Sequence, residues 1–557
     1  MAVRQYESDV TGAQVLGHAL VDHELGPFFG VLGDANLDPV AHAVAAGLGY
    51  FAARHESGAV AMASGYAAAT GRPGLATVSR GPALANAVTA ITSAVRDRRP
   101  LIVVAGDHHT DDPHGPQSID QAALIAPTGA GFIRPHSASE LRIAVTTSIA
   151  RASRDHIPVV LSIPTDLLDA DATHQSDATT HDDEKPELVD PEIPTAELDL
   201  ALRLLRAARA PVVLAGRGAM DAGVARDLCE IAESIGAALC TTLPAVGLFA
   251  GHPLDIGFAG GFAPASTRQR LDAADVVLVV GASLNAYTTD DGALLRAASV
   301  IHIDRDRCAF DRHRTAEIRL LGDATAVVPA LRARIGRAAA QTVAASARQV
   351  GEPPAHASGS MGVDPRAALR VLDAALPQHR RVVVDVGHFS TFPCQTLRVF
   401  EPGGLLPCFG FGSVGLALPT AIGVALGRPD CAVIAVVGDG GLAMSLSELE
   451  TVGRIGVPLV VAVLNDHAYG AEVHHMHARG MAADLVRFPP VPFAEIAGSL
   501  GCVALTVRTP ADLENMSDCV RAMSRPVLLD IHVDPDIVAD KFARRLRMRC
   551  EQTGAGL

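Results

Sequence analysis

Residues 422–470 read IGVALGRPDCAVIAVVGDGGLAMSLSELETVGRIGVPLVVAVLNDHAYG, and this stretch decides the fold. An apolar run at 433–437 ends in Gly438-Asp439-Gly440-Gly441. Leu446, Leu449 and Val452 follow at helical spacing, and a second apolar run at 459–464 ends in Asn465-Asp466. Two short apolar runs separated by an amphipathic segment predict parallel strands joined by a crossover helix. Such a connection brings both strand ends to one sheet edge, where open α/β sheets bind ligands. Asp439 and Asp466 are expected to converge there as oxygen ligands for a hard cation such as Mg²⁺. Gly440 and Gly441 would free backbone N–H groups at a helix start for phosphate oxygens. A cation beside a backbone nest is what a diphosphate requires.

The same alternation recurs outward from this stretch. Apolar runs at 28–32, 75–78, 101–105 and 159–163 alternate with helix-like segments, and a second set stands at 211–215, 237–241, 276–280 and 300–303. The acidic, Thr- and Pro-rich segment DADATHQSDATTHDDEKPELVDPEIP and the Ala/Ser/Gly-rich stretch before Val363 read as linkers. The prediction is an α/β chain of three doubly wound parallel-sheet domains: 1–170, a linker at 171–195, 196–340, a linker at 341–362, and 363–557.

Composition narrows the function classes. At 557 residues the chain is too long for one core. A net charge of −15 argues against a nucleic-acid partner. The nine cysteines lack CxxC spacing, so neither a zinc site nor a disulfide framework is indicated. MAVRQYESDVTGAQ has no signal-peptide core and no apolar run approaches a membrane span, so a soluble cytoplasmic protein is expected.

Ile422-Gly423, Pro429, Ile434-x-Val436-x-Gly438-Asp439-Gly440-Gly441 and the later Asn465-Asp466 together resemble the thiamine diphosphate (ThDP) binding signature. The order of units resembles the pyrimidine-binding, central and diphosphate-binding domains of that family. The likeness is closest to its acetohydroxyacid (acetolactate) synthase and 2-oxoacid decarboxylase branch. It implies ThDP and Mg²⁺, with the metal on Asp439, Asp466 and the Ala468 carbonyl, and with Tyr469 and Gly470 beside the cofactor. The family more often has Asn where Asp466 stands, so the oxygen ligand is kept and a negative charge is added. Active sites between subunits of a homodimer or homotetramer are also implied.

The same resemblance gives Glu56, in FAARHESGAV, the task of driving tautomerisation of the cofactor's aminopyrimidine ring. Read by itself, Glu56 is a first-turn glutamate favoured by the helix dipole. Gly412, Ser413 and Val414 match the place where the family bends the cofactor, with Val414 as the apolar wedge and the Gly412 carbonyl as an acceptor. Gly387 and His388 match the loop that closes over the diphosphate. On the substrate side, Asp34 in Gly-Asp-Ala-Asn-Leu resembles a decarboxylase aspartate that handles protons, against an Asx-turn reading. Gln117 matches a family glutamine that reaches the active site. Arg80 is a candidate for a bidentate contact to an anionic group. His109 and His474 are candidate pocket residues, and KFARRLRMRC reads as an amphipathic lid helix. GASLNAYTTDD, from Gly281, lacks the arginine that accompanies FAD in acetohydroxyacid synthases, so FAD is doubtful.

The implied activity is decarboxylation of a 2-oxoacid and ligation of the remaining fragment to a second carbonyl. The alternatives are a simple 2-oxoacid decarboxylase or C–C lyase releasing an aldehyde, and a non-catalytic scaffold of the same fold. Glu56, Asp439 and Asp466, all present, speak against the scaffold.

Overall fold

A computed structural model describes residues 10–172 apart from residue 24, 195–336 and 362–553, with side chains described through residue 547. Both expected linkers lie almost wholly outside the described residues. Each unit is built on one six-stranded sheet whose paired strands all run parallel.

The first sheet contains β1 (Phe28–Gly30), β2 (Tyr50–Ala52), β3 (Gly74–Val78), β4 (Leu101–Asp107), β5 (Gly131–Ile133) and β6 (Pro158–Pro164), in the order 2-1-3-4-6-5. The second contains β7 (Pro211–Ala215), β8 (Ala238–Thr241), β9 (Asp255–Phe258), β10 (Val276–Val280), β11 (Ser299–Asp304) and β12 (Ile318–Leu321), in the order 12-11-10-7-8-9. The third contains β13 (Arg380–Val384), β14 (Leu405–Pro407), β15 (Ala432–Gly438), β16 (Leu459–Asn465), β17 (Val503–Val507) and β18 (Val527–His532), in the order 14-13-15-16-18-17. Strands β3, β4, β6, β10 and β16 are buried along their whole length, as parallel strands covered by helices on both faces must be.

The crossover from β15 to β16 is not the single helix expected. It is a short helix, Asp439–Met444, then a second, Glu448–Ile455. Two serines stand at the break, and the Ser445 hydroxyl donates to the Gly441 carbonyl at 3.2 Å. Serine competes locally for backbone partners in this way.

Helix Glu56–Thr70 of the first unit packs along helix Ala417–Gly427 of the third. A Cβ at Gly423 would run into the Met62 carbonyl, and one at Gly65 into the Thr420 carbonyl, so these glycines let two helix backbones touch. This contact joins the first and third units in a continuous core that includes Met62, Leu84, Leu418 and Ile422. The C-terminal helix, Asp540–Thr553, has no apolar window suited to a membrane span; among the described residues no helix is long and apolar enough to cross one.

Candidate active site

β15 and β16 are neighbours, with Gly438 paired to Leu464, so their C-terminal ends release the two carboxylates side by side. Asp439 and Asp466 are both buried. Burial holds both carboxyls well above the usual carboxylate range, and the charge of Asp466 raises Asp439 further. Two acids in that state fit a divalent cation, whose charge relieves the repulsion.

The turn after β16 is made by His467 in the left-handed region at φ 56°. Asn465 secures it: its Oδ1 accepts the His467 N–H at 3.1 Å, while its Nδ2 donates to Asp530 Oδ1 at 2.8 Å. A short bridge to the 486–488 segment uses the Tyr469 N–H and the His467 carbonyl, which leaves the Ala468 carbonyl outside it. Among the described residues no group of three or more His, Cys, Asp and Glu side chains is arranged for a metal. Asp439 and Asp466 are the two carboxylates that these strand ends bring together.

Asp385, just past β13, is wholly buried, and burial pushes its carboxyl up to about 6. It accepts the Gly415 N–H at 2.9 Å, which anchors the 412–415 loop, where Gly412 takes φ 75°. A side chain at Gly441 would come within 2.5 Å of Asp385 Oδ2 and 3.3 Å of Val414. The 438–441 turn and the 412–415 loop thus lie against each other. His388 lies on the other flank, its Nε2 3.7 Å from Asp466 Oδ2. Burial, and then the neighbouring His474, lower the His388 imidazole to about 3, so the ring is neutral. The His388 and His474 rings are 5.1 Å apart, and Phe542 of the C-terminal helix packs against both.

The residues singled out in the first unit form two further groups. Glu56 begins its helix and accepts a hydrogen bond from Asn86 Nδ2 at 3.0 Å. Arg80 makes an ion pair with Asp34 and donates through Nε to Gln117 Oε1 at 2.9 Å. Three residues chosen separately, on three different loops, therefore meet. The Asp34 loop is held by buried Asn36, whose Oδ1 accepts the Gly33 N–H at 2.8 Å and whose Nδ2 donates to Thr77 at 2.9 Å. His109 does not join this group: it is exposed, and its Nδ1 accepts the Asp111 N–H. His474 packs instead against His388, which lies beside Asp466.

Three family models match in succession along the chain. Residues 10–124 match the thiamine pyrophosphate enzyme N-terminal TPP binding domain, 198–331 the central domain, and 385–531 the C-terminal TPP binding domain. The chain is a thiamine pyrophosphate enzyme. Its place is in the acetolactate synthase and 2-oxoacid decarboxylase branch. It is 28% identical to the acetolactate synthase isozyme 3 large subunit of Escherichia coli (strain K12), over 94% of this chain and 95% of that one. It is 30% identical to a probable 2-ketoarginine decarboxylase of Pseudomonas aeruginosa, over 93% and 92%. It is 27% identical to a sulfoacetaldehyde acetyltransferase of Rhodobacter capsulatus, over 92% and 91%.

Within this thiamine pyrophosphate enzyme, sequence reading missed three polar residues of the site region: Asn86, Asp385 and Glu448. Asp385 had a visible signal, a carboxylate directly after the apolar run VVV at 382–384, a strand end. Asn86 and Glu448 had none, because their partners lie 30 and up to 394 residues away in sequence.

Proposed function

We propose that this enzyme holds thiamine diphosphate through Mg²⁺ on Asp439, Asp466 and the Ala468 carbonyl, decarboxylates a 2-oxoacid, and ligates the remaining acyl fragment to a second carbonyl compound. The observation that carries the reading is the buried Asp439/Asp466 pair at adjacent strand ends, with its mutual repulsion. Gly440 and Gly441, in the first turn of helix Asp439–Met444, offer N–H groups to phosphate oxygens, with Gly438, Tyr469 and Gly470 around them. The bound cofactor supplies an electron sink for the pair released when the carboxylate departs.

The chain's own residues do the rest. Glu56 holds a proton at the cofactor's pyrimidine nitrogen, and Asn86 keeps its carboxylate turned to one side. Val414 would serve as the apolar wedge beneath the cofactor and the Gly412 carbonyl would accept from its amino group, with Ser413, Gly387 and His388 beside them. Arg80 and Gln117 orient the substrate carboxylate, and Asp34, paired with Arg80, supplies or takes the proton on that side. His474 lines the acceptor side. FAD is left out of the reading because the run from Gly281, GASLNAYTTDD, lacks the arginine that accompanies FAD in acetohydroxyacid synthases. Relatives named as acetolactate synthases and an acetyltransferase support ligation. A relative named as a decarboxylase, together with Asp34 at this edge, supports simple aldehyde release as the second reading. The active unit is a homodimer or homotetramer.

The test is CO₂ release from a panel of 2-oxoacids, pyruvate and a cationic member included, with ThDP and Mg²⁺, in wild type and Glu56→Gln. Release that falls by about a hundredfold or more in the variant is expected, with a ligated product. A free aldehyde as sole product would favour the second reading. Bound cofactor with no CO₂ from any acid would point to a scaffold.

A further inference from the structure

Glu448 is a buried carboxylate that the proposed chemistry does not use. It opens helix Glu448–Ile455 in the third unit, yet its Oε1 accepts the N–H groups of Arg54 and His55 in the first, each at 3.1 Å. Its Oε2 accepts the Thr451 hydroxyl at 2.7 Å. Arg54 and His55 form the turn into helix Glu56–Thr70, with His55 as the N-cap residue.

In a capping box, a glutamate three residues after the N-cap reaches back to the N-cap N–H. Here that position is Gly58, which has no side chain to offer. A Cβ on Gly58 would collide with Glu448 Oε1, so the carboxylate occupies the space a local capping glutamate would fill. Its neighbours tighten the same turn. Glu450 Oε2 accepts from Arg54 Nε at 2.6 Å, and Arg454 donates to the Ala52 carbonyl at 2.6 Å.

We infer that Glu448 is a positioning residue for Glu56: a capping carboxylate, delivered by the diphosphate-binding unit, that sets where the helix carrying Glu56 begins. The inference rests on the role proposed for Glu56. With the carboxylate gone, two N–H groups lose their acceptor and the first turn relaxes, carrying Glu56 with it. A displacement of about an ångström is enough to cost a positioned group much of its effect.

The experiment uses the full chain with thiamine diphosphate and Mg²⁺. It measures the exchange of the bound cofactor's thiazolium C2 hydrogen with deuterated solvent, and cofactor affinity by calorimetry. The variants are Glu448→Ala, Glu448→Gln, Gly58→Ala, Glu56→Gln and the double variant Glu448→Ala/Glu56→Gln. Glu448→Ala and Gly58→Ala are expected to slow exchange by about tenfold or more while affinity stays within about threefold. Glu448→Gln keeps most of the rate, because a carboxamide oxygen accepts the same two N–H groups. In the Glu56→Gln background, Glu448→Ala should add nothing. Independent, multiplying losses in the double variant would overturn the inference, as would normal exchange in a folded Gly58→Ala. If Glu448→Ala does not fold, Gly58→Ala and Glu448→Gln still decide the matter. Wild-type exchange in Glu56→Gln would instead overturn the role of Glu56, and this inference with it.

Discussion

Asp439 and Asp466 state the metal problem at the scale of single residues. Each carboxyl is held above its ordinary range, first by burial, so on acidification the pair takes up protons earlier than exposed carboxylates do. Protons then compete with the cation, and Mg²⁺ stabilisation should shrink as pH falls. The sign is opposite without the cation. The unfolded chain ionises these groups in the ordinary range while the fold still holds protons, so the metal-free protein loses stability as pH rises above about 4. Thermal melts with and without Mg²⁺ at about pH 5 and pH 8 are expected to diverge, with the larger metal shift at the higher pH. Asp466→Asn keeps an oxygen at the site and removes the repulsion, so it should flatten that divergence. An equal metal shift at both pH values would place the cation elsewhere. These two residues were legible in the sequence because each follows an apolar strand directly. Arg80, Asp34 and Gln117 were legible only as candidates; their meeting depends on three loops converging at one sheet edge.

Among elements, the contact between helices Glu56–Thr70 and Ala417–Gly427 sets the relation of the first unit to the third. Gly423→Ala would drive a methyl into the Met62 carbonyl, which neither backbone can yield without moving the helix. A loss of about 3 kcal/mol is expected in urea denaturation, with unchanged cofactor-site ligands and a reduced specific activity. A neutral substitution would mean that the helices are farther apart than the structure places them. The helices were visible in outline, but their contact was not, because small residues at a crossing resemble small residues anywhere else in a helix. The strands divide in the same way. Those read from sequence in the first two units are interior strands with mostly apolar runs. The four missed, β2, β5, β9 and β12, stand at sheet edges, where strands are short and only one side pairs. The single crossover helix was the one regular element misread, since the spacing of Leu446, Leu449 and Val452 says nothing about the turn among them.

For the whole molecule, apolar side chains remain exposed at the cofactor edge. Val414 is 36% exposed, Tyr469 41% and Met444 59%, and the three surround the diphosphate turn. A patch of this kind beside a site needs a cover, and a second copy of the chain bringing its own Glu56 is the cover proposed here. Met444→Glu should convert the assembly to monomers in light scattering at micromolar concentration and abolish CO₂ release. A wild-type protein that is monomeric and active would sink the shared-site arrangement. The sequence by itself determined the three parallel-sheet units and the carboxylate pair, because buried strands need continuous apolar runs and a sheet-edge turn needs glycine and aspartate at local spacing. Only the tertiary structure decided which groups hold Glu56. Asn86 approaches from a different helix and Glu448 from a different domain, 394 residues from Arg54 in the chain, and a capping partner that arrives through space leaves no periodic trace in the sequence.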